Sequence, residues 1–261
     1  MNSKFFFKRS LAIAGVFVLL VAVNALAAGF VGFDFLKALI DIPQGLGWMA
    51  VNFIPTAASF QKIGTILSAL GRTVLLSVAS SCLAAVIAYV FAVLGSRSSG
   101  LGGLFPLLVR GIASVFRNIP VVAWAFILLF SFKQGEFTGF LALFLATFGY
   151  LTRCFLESID EVSGGPVEAL RATGASYPQI VAQAIIPLSI TAVISWTLYM
   201  IETNIRDATL VGILTGTGIG FIFDIYYKSF HYDQAGLVIL SIVVAVVACE
   251  ATSNYVRRQI I

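Results

Sequence analysis

Charge is scarce in this 261-residue sequence: only 11% of residues are Asp, Glu, Lys or Arg, against about a quarter in soluble domains. That deficit, beside 59% hydrophobic residues, excludes an ordinary soluble globule. There is one histidine, His231, with no second His or Cys beside it, so the donor set of a metal site is missing. Cys82, Cys154 and Cys249 form no CxxC pair and are odd in number; such thiols in apolar surroundings act as small hydrophobes in packing. No Gly-Lys-Ser/Thr phosphate loop occurs, and the glycine-rich run GILTGTGIG follows no strand, so the chain lacks a nucleotide site of its own. The net charge of +4 is modest, and the basic residues stand at the ends of apolar runs. That placement sets membrane topology and does not form a nucleic-acid patch.

What is abundant is apolar sequence in runs of about 20 residues, the length that crosses a bilayer core. MNSKFFFKRS followed by LAIAGVFVLLVAVNALAAGFV reads as an uncleaved first span rather than a signal peptide with an Ala25-Leu26-Ala27 cleavage box. Residues 33–62, with Asp34, Asp41, Pro43, Trp48 and Pro55, suit an interfacial segment. Further spans are expected over about 70–94, 118–132, 138–157, 187–213 and 235–254, with GSRSSGLGG at 95–103 a loop. The Ser, Cys and Ala run of the second span allows close approach of another helix. Six spans place both termini on one side. That side carries ten basic residues (Lys4, Lys8, Arg9, Arg97, Arg110, Arg117, Arg153, Arg171, Arg257 and Arg258) against four opposite (Lys37, Lys62, Lys133 and Lys228), and the richer side is cytoplasmic.

One segment breaks the apolar pattern: GGPVEALRATGASYPQIVAQAIIP, residues 164–187. Pro166 suits the first turn of a helix, with Glu168 near that helix's positive end. Gly174 supplies a left-handed stop, and Ser176 with Gln179 has capping-box spacing for a second helix. Pro187 interrupts at the start of the fifth span. The segment reads as helix, glycine corner, helix, at the cytoplasmic face.

These residues carry a resemblance. Glu168-Ala169, Gly174 five residues after Ala169, and Pro187 thirteen further on are similar to the EAA loop of bacterial ABC importer permeases. The departures are Leu170, where the family usually has Ala, and Ala184 and Ile186 before the proline. A second anchor, ETNIRDATLVGILTGTGIG at 202–220, with RNIPVVAWAFILLF at 117–130 and FHYDQAGLVIL at 230–240, is closest to permeases of phosphonate importers. The branch's Gly-Ala-Gly-Gly-Ile-Gly is Thr215-Gly216-Thr217-Gly218-Ile219-Gly220 here. The resemblance implies an all-α, polytopic, type I ABC importer permease fold in the bacterial inner membrane. It divides the chain into an N-terminal span and interfacial segment, 1–62, and a transmembrane domain, 63–261, with the EAA-like loop at 160–187. It implies a coupling helix over 166–180, with Glu168, Ala169, Arg171, Gly174, Ala175 and Pro187 as ATPase-coupling positions. The partners it implies are cytoplasmic ABC ATPases, which would bind ATP and Mg, a second permease copy or close paralogue, a periplasmic phosphonate-binding protein and membrane lipid. The resemblance further implies that the chain itself carries no cofactor and that it serves the import of phosphonate, phosphite or hypophosphite.

Glu202, Asn204, Arg206 and Asp207 are polar residues within or beside the fifth span, where unpaired charge is costly. Glu202 and Arg206 share a helical face and can pair. Two readings stay open: an ion pair that fixes packing, or a polar wall of the translocation path. Gly212, Gly216, Gly218 and Gly220 read either as a gate or hinge or as a flexible loop. The alternatives in function are an importer of another small solute such as methionine, and a proton-coupled secondary transporter with Glu202 and Asp207 as proton sites. Residues 33–62 are either a binding-protein contact or an interfacial decoration.

Overall fold

A computed structural model describes residues 3–98, 100 and 102–260, with side chains from residue 7 onward. Ser99 and Leu101 of the expected 95–103 loop, and Met1, Asn2 and Ile261 at the ends, lie outside the described residues. All regular structure among the described residues is helical. The chain divides into two compact units, residues up to Asn52 and residues from Phe53 on.

The first unit holds α1 (Ser3–Val31) and α2 (Phe35–Asn52). From Phe7 to Val31, α1 is apolar all round and long enough to cross a bilayer. The expected interfacial segment contains a regular helix, α2. Asp34 caps it by accepting the Lys37 N–H at 3.1 Å, and Pro43 lies inside it.

The second unit begins with a 3₁₀ turn, Ser59–Lys62, that leads into α3 (Ile63–Gly95). Next come α4 (Phe105–Asn118) and α5 (Val121–Phe132), bent by 90° at the break between them. Ile119 there is extended, as a residue before proline prefers, and Pro120 follows it. The expected third span, 118–132, is therefore corrected. Twelve residues of α5 rise about 18 Å, short of the ~30 Å hydrocarbon core, so only the bent pair together counts as a crossing.

The long helix α6 (Glu136–Ala172) merges the expected fourth span with the first helix expected in the 164–187 segment. Pro166 lies in its interior and does not start a helix. The ring removes one backbone donor, while Gly164 and Gly165 have open space where a Cβ would stand. Buried Ser163 and Val167 hold the helix across the break. Glu168 is accordingly near the negative end of α6, opposite to the dipole placement expected for it.

After the corner, α7 (Tyr177–Ile180), a π turn (Val181–Ile185) and α8 (Ile186–Thr215) form one continuous run. Pro187 does not break it. The wider π turn, with the Ile186 N–H bonded to the Val181 carbonyl, re-registers the ladder just before the proline. α9 (Gly218–Lys228) and α10 (Tyr232–Ile260) complete the unit. Five helical stretches, Phe7–Val31, Ser59–Gly95, Glu136–Ala172, Tyr177–Thr215 and Tyr232–Ile260, are long and apolar enough to span, six with the bent pair.

Small residues make the core of this unit possible. Ser77, Ser80, Ser81, Ala84, Ala85, Ala88 and Ala92 are buried along α3. They let it close on α6, whose Leu151, Phe155, Leu156 and Ile159 fill the space between. Gly149 is required where α4 ends against α6, because a Cβ there would stand 2.5 Å from the Arg117 nitrogen. Cys82 corrects its expected packing role: it lies on the exposed side of α3, while Cys154 and Cys249 are half-buried.

Candidate functional site: a fastened corner and a polar helix

The corner after α6 is built by backbone bonds that the sequence specifies. Gly174 takes φ +80°, a conformation only glycine adopts without strain. Its N–H bonds to the Arg171 carbonyl at 3.0 Å and the Ala175 N–H to the Leu170 carbonyl at 3.1 Å, the paired closure of a Schellman motif. The expected capping box is present: Gln179 Oε1 accepts from the Ser176 N–H at 2.7 Å and from its hydroxyl at 2.8 Å. Glu168, Ala169, Arg171 and Gly174 are exposed around the corner, Ala175 is half-buried and Pro187 is exposed beyond it.

What fastens the corner was missed in the sequence. Asp160 of α6 accepts from the Ser96 hydroxyl and the Arg97 N–H, each at 2.8 Å, and from Arg110 Nη2 at 2.5 Å. One carboxylate thus joins the end of α3, α4 and α6. The pair is mostly buried, with side chains 15% and 22% exposed for Arg110 and Asp160. Ser98 Oγ meets Ser163 Oγ at 2.5 Å, and Arg171 Nη2 donates to the Ser98 carbonyl at 3.2 Å. Arg110 counted only toward topology in the sequence. An Asp four residues short of a Gly-Gly-Pro break was the available signal.

Along α8 the polar residues separate. Arg206 Nη1 donates to Glu202 Oε1 at 2.9 Å, with side chains 46% and 13% exposed. Asn204 points elsewhere: its Nδ2 donates to Ser81 Oγ at 2.8 Å and Thr147 Oγ1 at 2.7 Å, while its main-chain carbonyl accepts from the Ser77 hydroxyl at 3.1 Å. This buried amide therefore cross-links α3, α6 and α8. Asp207 is half-buried, and no hydrogen bond or ion pair to it occurs among the described residues.

The glycine run is a tight corner that packs α9 back on α8. Gly216 and Gly218 take φ +70° and +61°, and the Thr217 N–H bonds to the Gly212 carbonyl at 3.0 Å. A Cβ on Gly212 would meet the Thr217 carbonyl oxygen at 2.5 Å, and one on Gly220 would meet the Ile213 nitrogen at 2.9 Å. The Ile219 N–H donates to Thr73 Oγ1 at 2.9 Å, which ties α9 to α3. At the same end, Thr56 and Ser59 donate to Asp233 at 2.9 and 2.6 Å and hold the start of α10. A cavity of about 750 Å³ opens there, lined by Thr65, Ser68, Arg72, Glu136, Thr217 and Phe221 among others. No cluster of three His, Cys, Asp or Glu side chains that suits a metal occurs among the described residues.

This helical arrangement has relatives. The chain is 25% identical over 220 residues to the phosphate-import permease protein PhnE of Mycolicibacterium smegmatis, covering 84% of this chain and 39% of that protein. It is 26% identical over 245 residues to the phosphite transport system permease protein PtxC of Stutzerimonas stutzeri, covering 94% and 88%. The chain thus spans well under half of the first relative and most of the second. Among solved structures, an inward-facing MetNI methionine ABC transporter chain superposes with a TM-score of 0.70 at 19% identity, covering 77% of this chain and 98% of that one. This likeness identifies the fold as that of ABC importer permeases. Residues 84–258, more than half of the sequence, match the binding-protein-dependent transport system inner membrane component family, and the chain belongs to that family.

Proposed function

We propose that this chain is the membrane-spanning permease subunit of an ATP-driven importer of a phosphorus oxyanion, phosphonate or phosphite. The observation that carries the importer reading is the exposed 168–176 corner, stiffened by its own backbone bonds and tied by Arg171 to the Ser98 carbonyl, in the segment that Asp160 holds. A surface that receives force from a partner must be rigid and accessible. The names of the two relatives, one phosphate and one phosphite permease, and the 202–220 motif support the substrate class.

In this reading the corner end is cytoplasmic, as the excess of basic residues there requires, and both termini share that side. Cytoplasmic ATPases bind ATP and Mg and dock at Glu168, Ala169, Arg171, Gly174 and Ala175. A second permease copy completes the pore, residues 63–261 form the transmembrane domain, and a periplasmic binding protein delivers the anion at the glycine end. Glu202–Arg206 serves as a packing pair beside the path.

The test is a mild-detergent pull-down of the tagged chain from native membranes, with co-purifying polypeptides identified. The expected companions are an ABC ATPase and a periplasmic protein that binds phosphonate or phosphite. A chain that emerges alone as an oligomer, and drives uptake in liposomes under a proton gradient, overturns the reading.

A further inference from the structure

Arg206 is poorly placed to meet an anion, being hydrogen-bonded to Glu202 and next in sequence to the carboxylate of Asp207. Another arginine has what it lacks. Arg72 lines the cavity of about 750 Å³ at the glycine end, a size typical of small-molecule sites. Arg72 and Glu136 are the only charged side chains among the residues that line it. They stand 3.6 Å apart with side chains 70% and 58% exposed, too far for a hydrogen bond. The guanidinium donors of Arg72 are therefore not committed to that carboxylate.

The rest of the wall is of matching chemistry. Thr65, Ser68 and Arg72 follow one another at three- and four-residue spacing on one face of α3. Other hydroxyls of this chain bond back to the preceding turn, as Thr73 does to Ala69 and Ser77 to Thr73. Thr65 and Ser68 make no such bond among the described residues, and both are exposed. The first turn of α9, at Thr217 and Gly218, closes the opposite wall with its positive end. Arg72 and Glu136 also border a pinched space of about 10 Å³ that continues toward Gly139, Ala208 and Val211. That is at the limit for a single water, so the cavity closes just beyond the ion pair.

The geometry points to Arg72 as the residue that receives the phosphorus oxyanion at the mouth of the translocation path, with Glu136 as the counter-charge that the anion displaces. Two oxygens of the anion take the fork of the guanidinium, and Thr65 and Ser68 donate to a third. The displaced Glu136 stands at the constriction of about 10 Å³ that the anion must pass. This assignment rests on the importer reading above and adds to it the residue that selects the anion.

The test uses the complete transporter, chain with ATPase and binding protein, in proteoliposomes, with uptake of phosphite, methylphosphonate and inorganic phosphate measured beside ATP hydrolysis. Arg72→Gln should lower uptake about ten- to a hundredfold, the effect of losing a charge-assisted fork, while ATP hydrolysis stimulated by the binding protein persists. Glu136→Gln, which removes the competing carboxylate, should raise uptake at sub-saturating anion, and Arg72→Lys should retain an intermediate rate. Opposite signs for the two neutral variants separate anion reception from a merely structural pair. The assignment is overturned if Arg72→Gln transports normally, or if both neutral variants lose uptake alike and the reversed pair Arg72→Glu/Glu136→Arg restores it. Should Arg72→Gln fail to assemble, full uptake by Arg72→Lys with none by Glu136→Gln also overturns it. A wild-type complex that hydrolyses ATP and carries none of the three anions refutes the substrate class itself, and the role of Arg72 with it.

Discussion

Replacing Asp160 by Ala should loosen the corner without touching its exposed face. The substitution removes one acceptor from the Ser96 hydroxyl, the Arg97 N–H and Arg110 Nη2 together. Hydrogen bonds to a charged group contribute about 1.5–3 kcal/mol each. They share one carboxylate, so the losses do not add. Breaking a fully buried pair by removing one member costs about 3–5 kcal/mol, but these side chains keep 15% and 22% exposure. Arg110 Nε is already buried without a partner, so Arg110 cannot turn to a substitute there. We expect about 2–3 kcal/mol, which at roughly 2–4 °C per kcal/mol for a domain of this size lowers the apparent melting temperature by about 4–12 °C. The assay is loss of the monodisperse detergent-solubilised peak after heating, with limited proteolysis in the 96–104 segment as a local readout. Asp160→Asn, which keeps acceptors for Ser96 and Arg97, should fall between. A wild-type melting curve and unchanged proteolysis for Asp160→Ala would refute the view that this carboxylate fastens the corner.

Glu168→Lys should abolish transport, by at least about tenfold through like-charge or unpaired contacts at a docking surface, while insertion and melting stay as in the wild type, because Glu168 is exposed. Uptake assays and a membrane-extraction blot check both halves. Gly220→Ala brings a Cβ to 2.9 Å from the Ile213 nitrogen and against the Thr209 carbonyl, both backbone, so α9 must lift from α8 at a cost of about 1–3 kcal/mol, read as a lower melting temperature. Arg206→Ala leaves Glu202, the more buried partner at 13% exposure, without its ion pair. With Arg206 itself 46% exposed, the loss should be about 1 kcal/mol, and the concentration dependence of uptake should not move. A large rise in the half-saturating concentration would instead place Arg206 in the path.

The parts of the fold that could be read from the sequence are those set by local chemistry. The corner at 172–177 was legible because Gly174 and the Ser176–Gln179 spacing act within five residues of themselves, and the structure uses both as read. The pairing of Glu202 with Arg206 was legible for the same reason, since a four-residue spacing leaves little choice of partner on a helix. What misled was proline. Pro166 and Pro187 both read as punctuation, yet α6 runs through the first and a π turn absorbs the second. A proline removes only one donor from a ladder of many, and long apolar helices packed along their length supply enough contact to bridge it. At Pro120, where the flanking segments are short and turn by 90°, the same residue did end a helix.

The residues that tie helices together were hidden because their meaning lies in distance through space. Asn204 is one polar residue among several in the fifth span, and nothing local distinguishes it from Glu202 or Asp207. Only the structure brings Ser77 and Ser81 of α3 and Thr147 of α6 around it, over separations of 127, 123 and 57 residues. Arg72 shows the same limit from the other side. It falls within the expected 70–94 span, and its use becomes visible once Glu136, Thr65 and Ser68 line one cavity with it. A bilayer-spanning bundle makes such groups informative for an energetic reason. Apolar side chains fit almost any neighbour, whereas a buried amide or a charge must find its partner. Asn204 is spent on cross-linking three helices, and Asp160 on mounting the corner. Arg72, held only loosely by Glu136, is a charged group that the packing leaves available.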